Sequence, residues 1–415
     1  MGDKWRESRW GNLASLEYGK SLRGYESDDG PYAVYGTNGR IGSCSTALCP
    51  HGGVVIGRKG AYRGVHYSDK PFFVIDTAFW LKPKVDMNMR WAYYALLTHD
   101  INSMDSGSAI PSTSREDFYA LPVHVPPLLE QRAIAHILGT LDDKIELNQR
   151  MNETLQAIAR AIFKSWFVDF DPVRAKAEDR QPPGMDAETA ALFPDALEES
   201  ALGKIPRGWS VADIGTIADV VDCLHSKKPV RQHEGMPLLQ LWNIRDDGLI
   251  DMDDTYFITE SDYRLWTSRI EASPGDCVIT NVGRVGAVAQ IPSGLTAALG
   301  RNMTAIRCKR QLPFPTLLVE YLLSGPMRNE IDLNVDSGTI LDSLNVRSIP
   351  RLRLVVPSPS VAQHFENLCR PLRAKMEQAL AENAALVAVR DVLLPKLLSG
   401  EMRVKDAEKL VEKVL

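Results

Sequence analysis

The stretch IAHILGTLDDKIELNQRMNETLQAIARAIFKSW, residues 134–166, decides the fold. One seam of side chains runs through it at alternating spacings of four and three: Ile134, Leu138, Leu141, Ile145, Asn148, Asn152, Leu155, Ala159, Ile162 and Trp166. Such spacing is typical of a coiled-coil helix. At about 1.5 Å per residue the segment forms a rod of roughly 50 Å, too long to pack within one small domain. The helix therefore needs a partner of similar length.

A later segment of the chain supplies this partner. Adding 231 to each seam position gives a second, mostly apolar seam: Phe365, Cys369, Leu372, Met376, Ala379, Asn383, Leu386, Arg390, Leu393 and Leu397. The two seams predict two long antiparallel coiled-coil helices. Asn152 and Asn383 hold equivalent positions on the two seams. A buried Asn at such a position fixes the register and the partner of a coiled coil. The alternative is that both residues lie where the seam is frayed or hydrated. Pro371 and Pro395 predict a less regular second helix, because proline lacks an amide donor.

The helices belong to a larger repeat. Residues 106–108 (SGS) match 337–339 (SGT) at an offset of 231, and residues 57–61 (GRKGA) match 283–287 (GRVGA) at 226. Upstream, Trp10 pairs with Trp209 at an offset of 199. Offsets that drift in one direction indicate two copies of one domain, the second with longer loops.

Each copy combines short strands with helices, which predicts an α/β (α+β) fold. Buried strands are predicted at 53–57, 72–75, 276–280 and 353–356, and helices at 91–97 and 317–323. The predicted organisation is a first domain (1–128), a first helix (129–168), a connector (169–205), a second domain (206–358), a second helix (359–403) and a C-terminal tail (404–415). The connector is punctuated by Pro and Gly, and its aromatic residues predict that it packs along the helices.

Composition excludes several classes of protein. The chain has 415 residues, of which 44% are hydrophobic and 24% charged, so it is neither one small domain nor a disordered chain. No apolar run approaches eighteen residues and the N-terminus is charged, so we expect no membrane segment, a cytoplasmic location and six cysteines kept as thiols. With 53 acids against 48 bases, any DNA binding must rely on local arginines and on a partner.

Motifs for catalysis are missing. Gly19-Lys20-Ser21 ends like a phosphate-binding loop, but Ala14 stands where that loop needs its first glycine. Asp171-Pro172-Val173 lacks the second proline and the aromatic residue of an amino-methyltransferase motif. Asp142-Asp143-Lys144 has the form of a nuclease site, yet its place on the long helix favours a solvated flank. We therefore predict no catalytic residue in this chain.

A metal site is not predicted either. Cys44, Cys49, His51 and His66 have the residue types of a zinc cluster. Their spacing is irregular and no second Cys-x2-Cys follows, which favours buried thiols and a surface histidine.

Binding remains as the function, and its candidate residues lie in Gly-rich turns. There the backbone can approach a ligand, and polar side chains can reach base edges or phosphates. Taken singly each is an ordinary solvated turn residue, but the turns recur in both copies. The candidates are Asn38, Arg40, Arg58, Lys59, Tyr62, Arg63, Ser106 and Ser108 in the first copy, and Lys227, Lys228, Gln240, Asn243, Asn281, Arg284, Arg301, Asn302, Ser337 and Thr339 in the second.

These features resemble the specificity subunit of type I restriction-modification systems. The motifs that carry the resemblance are VPPLLEQRAIA (125–135), LDDKIELN (141–148), SWFVDFDPV (165–173), LFPD (192–195), GKIPRGW (203–209), GRKGAY (57–62) and IDTA (75–78). The resemblance spans nearly the whole chain, because the family's layout of recognition domain, helix, recognition domain and helix is the repeat described above. Two features depart from the family's pattern: Ser8-Arg9-Trp10-Gly11 opens the first copy without the Ile-Pro-x-Gly-Trp of the second, and Arg390 lies on the second seam.

The resemblance implies a non-catalytic subunit with two target-recognition domains, each reading one half of a split double-stranded DNA site. The paired helices would set the unread spacer between the halves. Two methylation subunits would dock on the helical regions and two restriction subunits would complete the nuclease. No cofactor is expected in this chain, whereas S-adenosylmethionine, ATP and Mg would be used by the partner subunits.

Two other classes of function stay open at this point. One is a modification enzyme with a cryptic active site, which would methylate DNA without a partner. The other is a coiled-coil scaffold that binds only proteins, for which removing the charges of Arg58, Lys59, Arg284 and Arg301 would leave DNA binding unchanged.

Overall fold

A computed structural model describes residues 5–104, 110–336, 341–412 and 414 of the chain. The chain divides into two compact units. The first unit comprises Met1–Glu146 and Asn383–Leu415, and the second comprises Leu147–Glu382. Each unit therefore contains one copy of the repeat and a part of each long helix.

Strands and helices are numbered here along the chain. The first copy contains β1 (Arg6–Arg9), α1 (Trp10–Leu13), β2 (Ala14–Tyr18), β3 (Tyr32–Gly36), β4 (Gly39–Cys44), β5 (Gly53–Gly57), β6 (Val65–Ser68), β7 (Phe72–Val74), β8 (Ala78–Pro83), α2 (Met89–Leu97), α3 (Arg115–Ala120) and β9 (Pro122–Val125). The first long helix and the connector contain α4 (Leu128–Phe167), α5 (Asp171–Ala177), α6 (Ala187–Ala191), β10 (Leu197–Ser200) and β11 (Gly203–Pro206).

The second copy and the C-terminal segment follow. They contain β12 (Ser210–Asp213), α7 (Ile214–Ile217), β13 (Ala218–Asp222), β14 (Met236–Leu239), β15 (Tyr256–Ile258), α8 (Glu260–Trp266), β16 (Cys277–Thr280), β17 (Val288–Gln290), β18 (Ala298–Leu299), β19 (Met303–Cys308), α9 (Pro315–Leu323), α10 (Gly325–Asp332), β20 (Val335–Asp336), β21 (Ser343–Leu344), β22 (Arg353–Val356), α11 (Pro359–Ser399) and α12 (Val404–Val411). Short 3-10 helices lie at Ile101–Ser103, Leu241–Asn243 and Ile349–Arg351.

Sheet topology confirms the repeat for nine strands of each copy, and the second copy adds the pair β20-β21. The first copy has sheets in the orders β2-β8-β5-β6 and β4-β3-β7 with a ribbon β1-β9, and the second has β13-β19-β16-β17 and β15-β14-β18 with a ribbon β12-β22. In both copies the three-stranded sheet contains one parallel pair, β3 with β7 and β14 with β18. The strands and helices predicted from sequence periodicity are all present, so the mixed α/β fold class is confirmed.

The long helices pack against each other within each unit. In the first unit, the beginning of α4 and the end of α11 share one buried cluster that includes Ile134, Leu138, Leu141, Leu386, Leu393 and Leu397. In the second unit, the end of α4 and the beginning of α11 do the same through Ala159, Phe163, Trp166, Phe365 and Cys369. The beginning of one helix faces the end of the other in both units, so the pairing is antiparallel as predicted.

Polar seam positions make specific contacts across the helix pair. In the second unit, Asn152 Nδ2 donates to the carbonyl of Met376 at 3.1 Å. In the first unit, Asn383 is 8% exposed and its Nδ2 lies 3.5 Å from the carbonyl of Ile145. Each Asn thus meets the backbone of the facing helix, which is the arrangement that fixes register.

Helix α11 continues through both prolines, so neither of them ends the helix. Pro371 and Pro395 are both exposed. The carbonyl groups that lose an amide partner to proline therefore face water, which lowers the cost of continuing the helix.

The connector packs against the helices of the second unit, as its aromatic residues predicted. Phe193 meets Trp166 edge to face at 5.1 Å between ring centroids, and Trp209, just after the connector, lies 5.8 Å from Phe167. All four rings are buried. Within the described residues, no helix combines the length and apolar character that crossing a bilayer requires.

Candidate nucleic-acid interface

Four loops of the first copy converge at one end of its sheets. Thr37, in the turn between β3 and β4, donates through Oγ1 to the carbonyls of Lys59 (2.9 Å) and Thr77 (2.7 Å). The segment before α3 joins them, because Thr113 Oγ1 donates to the carbonyl of Gly57 at 2.7 Å. Residues far apart in sequence therefore form one surface, which we call the first loop cluster (residues 18, 37–40, 58–63, 76–77 and 110–116).

Cationic, amide and aromatic side chains project from this cluster. Asn38, Arg40 and Lys59 are exposed, and Tyr62 is 79% exposed. Arg58 is half-buried; its Nη1 donates to the carbonyl of Asp76 at 2.9 Å. Arg40 Nη2 donates to the hydroxyl of Ser43 at 3.0 Å, so both arginines are held at the surface of the loops that carry them.

Sequence reasoning missed two members of this surface, Tyr18 and Arg115. The guanidinium groups of Arg58 and Arg115 lie 4.8 and 5.3 Å from the centroid of the Tyr18 ring. The cleft between them has a volume of about 590 Å³ and is lined by Tyr18, Arg58, Lys59, Phe79, Ile110, Ser112, Thr113, Ser114, Arg115 and Glu116. Nothing local in the sequence links Tyr18 to these arginines, since the link is made by the sheet.

Arg63 differs from the other candidates of the first copy. It is 3% exposed, and its Nη2 donates to the carbonyls of Asn102 (2.7 Å) and Met104 (2.8 Å). Its role in this structure is to hold the loop at residues 101–104 against the β5–β6 connection.

Alanine at Arg63 is expected to lower the free energy of unfolding by about 2–4 kcal/mol, because a buried carbonyl group (Met104) and a partly buried one (Asn102) lose a charged donor. Alanine at the exposed Lys59 should cost under about 0.5 kcal/mol. Urea unfolding of the purified chain measures both. A drop in DNA affinity for Arg63→Ala at unchanged stability would instead place Arg63 on the nucleic acid.

The loops of the second copy converge in the same way. The amide of Gly300 donates to Leu239 (2.8 Å), that of Asn281 to Asn302 (2.8 Å), and that of Cys223 to Met303 (3.2 Å). These bonds bring together the second loop cluster (residues 223–231, 240–246, 281–286 and 300–302).

The most accessible part of the second loop cluster is a cation and aromatic group. Lys227 and Lys228 are exposed, and Lys228 Nζ lies 4.3 Å from the Tyr256 ring centroid and 5.3 Å from that of Trp242. Trp242 is 49% exposed. The two lysines were predicted from the sequence, but Trp242 was not; its exposed ring is large enough to stack on a base.

Two other candidates of the second copy, Asn243 and Asn281, stabilise the loops through hydrogen bonds of their buried side chains. Asn243 and Asn281 are 1% and 4% exposed. Asn243 Nδ2 donates to the carbonyl of Asp251 (2.7 Å), and Asn281 Nδ2 to that of Leu344 (3.3 Å). Their amides are engaged within the fold.

The remaining candidates of this copy lie at the surface of the loops with partners of their own. Gln240 Nε2 donates to the carbonyl of Leu239 at 3.1 Å, and Asn302 has a left-handed backbone with φ 66°. Arg284 bonds the carbonyl of Ile244 and the carboxylate of Asp246, and Arg301 Nε donates to the carbonyl of Ser226 at 2.8 Å. Ser106, Ser108, Ser337 and Thr339 lie outside the described residues.

The candidate zinc ligands of the first copy include two cysteines that lie in the core. Cys44 and Cys49 are buried, and burial raises the pKa of Cys49 to about 11, so it is a thiol at neutral pH. Asp222, Cys223 and His225 place potential ligand atoms within 4.8 Å of one another. However, Arg269 Nη1 lies 3.4 Å from Asp222 Oδ2, and burial raises the pKa of the Cys223 thiol. This group is therefore better described as an ion pair that stabilises the loop after β13 than as a metal site.

Taken together, each unit is one copy of a mixed α/β domain that displays cations and aromatic rings on its loops and is attached to its part of an antiparallel helix pair. Residues 2–157 match the family described as type I restriction modification DNA specificity domain.

Known proteins resemble the rest of the chain as well. It is 25% identical over 342 residues to the type I restriction enzyme HindI specificity subunit of Haemophilus influenzae, covering 70% of this chain and 71% of that protein. It is 25% identical over 385 residues to the MjaIX specificity subunit of Methanocaldococcus jannaschii, covering 89% and 82%. The crystal structure of a type I restriction-modification S subunit from M. genitalium shares the fold, with a TM-score of 0.64 at 18% identity over 95% of this chain and 96% of that one. The family match thus covers residues 2–157, and the proteins that this chain resembles over 70–89% of its length are named as type I restriction enzyme specificity subunits.

Proposed function

We propose that this chain chooses the DNA sequence on which a type I restriction-modification complex acts. Each copy reads one half of a bipartite site through its loop cluster, and partner subunits methylate adenine or cleave. The observation that carries this proposal is the recurrence, in two topologically identical domains, of loops that display cations and aromatic rings at the same end of the sheet.

The chemistry of these loops suits double-stranded DNA. Arginine and lysine contact phosphates and guanine, amides contact adenine, and exposed rings stack on bases or sugars. The net charge of -5 is compatible with this role if two methylation subunits share in neutralising phosphates. Catalysis then belongs to the two methylation subunits and to two restriction subunits. These partner subunits use S-adenosylmethionine, ATP and Mg. The complex acts on DNA in the cytoplasm.

Genome-wide mapping of adenine methylation by single-molecule sequencing tests the proposal. The map is made in cells that express this chain with its neighbouring methylation subunit, and again without this chain. We expect a split motif with a fixed unread gap only when the chain is present. Methylation by the purified chain alone, or a motif that persists without the chain, would contradict the proposal, since either result would place specificity or catalysis elsewhere.

A further inference from the structure

Each recognition domain is tied to its own part of the helix pair by a polar joint. In the first unit the joint centres on Asp142 of α4. Its Oδ2 accepts from the hydroxyl of Tyr94 on α2 at 2.5 Å, and its Oδ1 accepts from Nη1 of Arg390 on α11 at 2.9 Å. One carboxylate therefore connects the recognition domain with both long helices. Asp142 is 23% exposed and is not on a solvated flank as its sequence context suggested. The ion pair with Asp142 also explains why an arginine, Arg390, occupies a position of the otherwise mostly apolar second seam.

A second ion pair strengthens this joint. Arg90, one turn before Tyr94 on α2, bonds both carboxylate oxygens of Asp143, at 2.9 and 2.5 Å. Its Nη2 also donates to the carbonyl of Gly139 at 3.0 Å. A Cβ at position 139 would lie 2.6 Å from the Arg90 guanidinium carbon, so glycine allows this approach.

The second unit has a joint at the equivalent place with the charges exchanged. Adding 231 to 142 gives Arg373 on α11, and aligning α9 with α2 pairs Glu320 with Tyr94. Arg373 and Glu320 are 5% and 6% exposed, with Nη1 and Oε1 3.9 Å apart. Arg373 also bonds the carbonyl of Gly248, and its Nε lies 3.9 Å from Oε1 of Glu377. The acid is on the helix in the first unit and on the recognition domain in the second.

Joints of this kind, partly buried in the first unit and buried in the second, have one well-defined geometry, because moving either partner leaves a charge without compensation. An apolar contact between helices tolerates sliding far better. A slip by one helical turn is about 5.4 Å, which exceeds the roughly 3.4 Å between base pairs. The joint therefore decides where the loop cluster of its domain falls along the helix axis.

We infer that Asp142 and Arg373 are positioning residues that set the spacer length at which a bipartite site is read. The inference rests on the proposed function. The two joints act independently, one for each half-site, and their reversed polarity prevents the recognition domain of one copy from seating correctly on the helix segment of the other.

The test uses the complete complex of this chain with its methylation subunits. Duplexes carry both half-sites of the motif found by methylation mapping, with the native spacer or with one base pair removed or added. The quantity measured is the methylation rate on the native spacer divided by the rate on each altered spacer. For Asp142→Ala and, separately, Arg373→Gln, we expect this ratio to fall by about tenfold.

Asp391→Ala is the matched control. Asp391 is 61% exposed and pairs with Arg390 at 2.9 Å, so its removal breaks an ion pair of the same arginine without touching the recognition domain. Its spacer ratio should equal that of the unchanged chain. Asp142→Asn, which keeps the volume of the side chain, serves if the alanine variant does not assemble.

A proportional loss of methylation on all three spacers would overturn the inference, because a merely structural role lowers every rate alike. Failure of the proposed function has a different signature: the unchanged chain then directs no methylation to a split site on any duplex.

Discussion

Alanine at Arg58, Lys59 and Arg115 together is expected to weaken binding of the assembled complex to its target DNA by about 100-fold or more, and to lower the slope of log Kobs against log [salt] by about two to three. The three cations belong to the first loop cluster, where Arg58 and Arg115 flank the Tyr18 ring. Each cation that neutralises a phosphate releases a counterion, so its loss reduces both affinity and salt dependence.

A control triple variant is available within the same unit. Lys82, Arg403 and Lys405 are exposed and lie outside the first loop cluster, so removing them changes the net charge equally. Fluorescence anisotropy with target duplex between about 50 and 200 mM salt compares the two variants. Equal affinities and slopes would mean that the cluster does not meet DNA, and would favour a scaffold that binds only proteins.

Local patterns explain why the helices and the repeat were predictable. The seam from Ile134 to Trp166 has one period over 33 residues, and no folded context is needed to recognise it. The repeat was visible because residues 57–61 and 283–287 occupy the same hairpin connection in both copies. The prolines of α11 show the limit of such reasoning, since their effect depends on which side of the helix faces water.

Burial decides which site residues act on a ligand, and burial is set by distant parts of the chain. Arg58 and Arg63 are five residues apart in one loop, yet Arg63 is enclosed by the loop at 101–104. Asn281 was predicted to reach a ligand, but its side-chain amide nitrogen donates to the carbonyl of Leu344. Conversely, Tyr18 and Trp242 become part of the loop clusters only through strand pairing and a cation that lies over each ring.

The attachment of the second recognition domain to α11 also depends on a single buried acid, Glu366. The side chain is 4% exposed, and its carboxylate accepts from the amides of Thr316 (3.0 Å) and Leu317 (3.2 Å) and from the hydroxyl of Thr316 (2.7 Å). These amides open α9, whose preceding residue Phe314 provides no side-chain cap. Glu366 therefore caps α9 from another helix, which compensates for the burial that raises its pKa.

Glu366→Ala is expected to lower the local stability of α9 by about 3–5 kcal/mol, because it leaves two amides and a hydroxyl buried without an acceptor. Glu366→Gln keeps one acceptor oxygen and the volume of the side chain, so its loss should be about half as large. Hydrogen exchange of peptides that cover 315–323 reports the local free energy directly, with peptides of the first unit as the internal reference. Unchanged protection of α9 in the alanine variant would show that its N-terminus is held by packing alone, in which case Glu366 is no cap and the domain is attached to α11 by its apolar contacts and by Arg373.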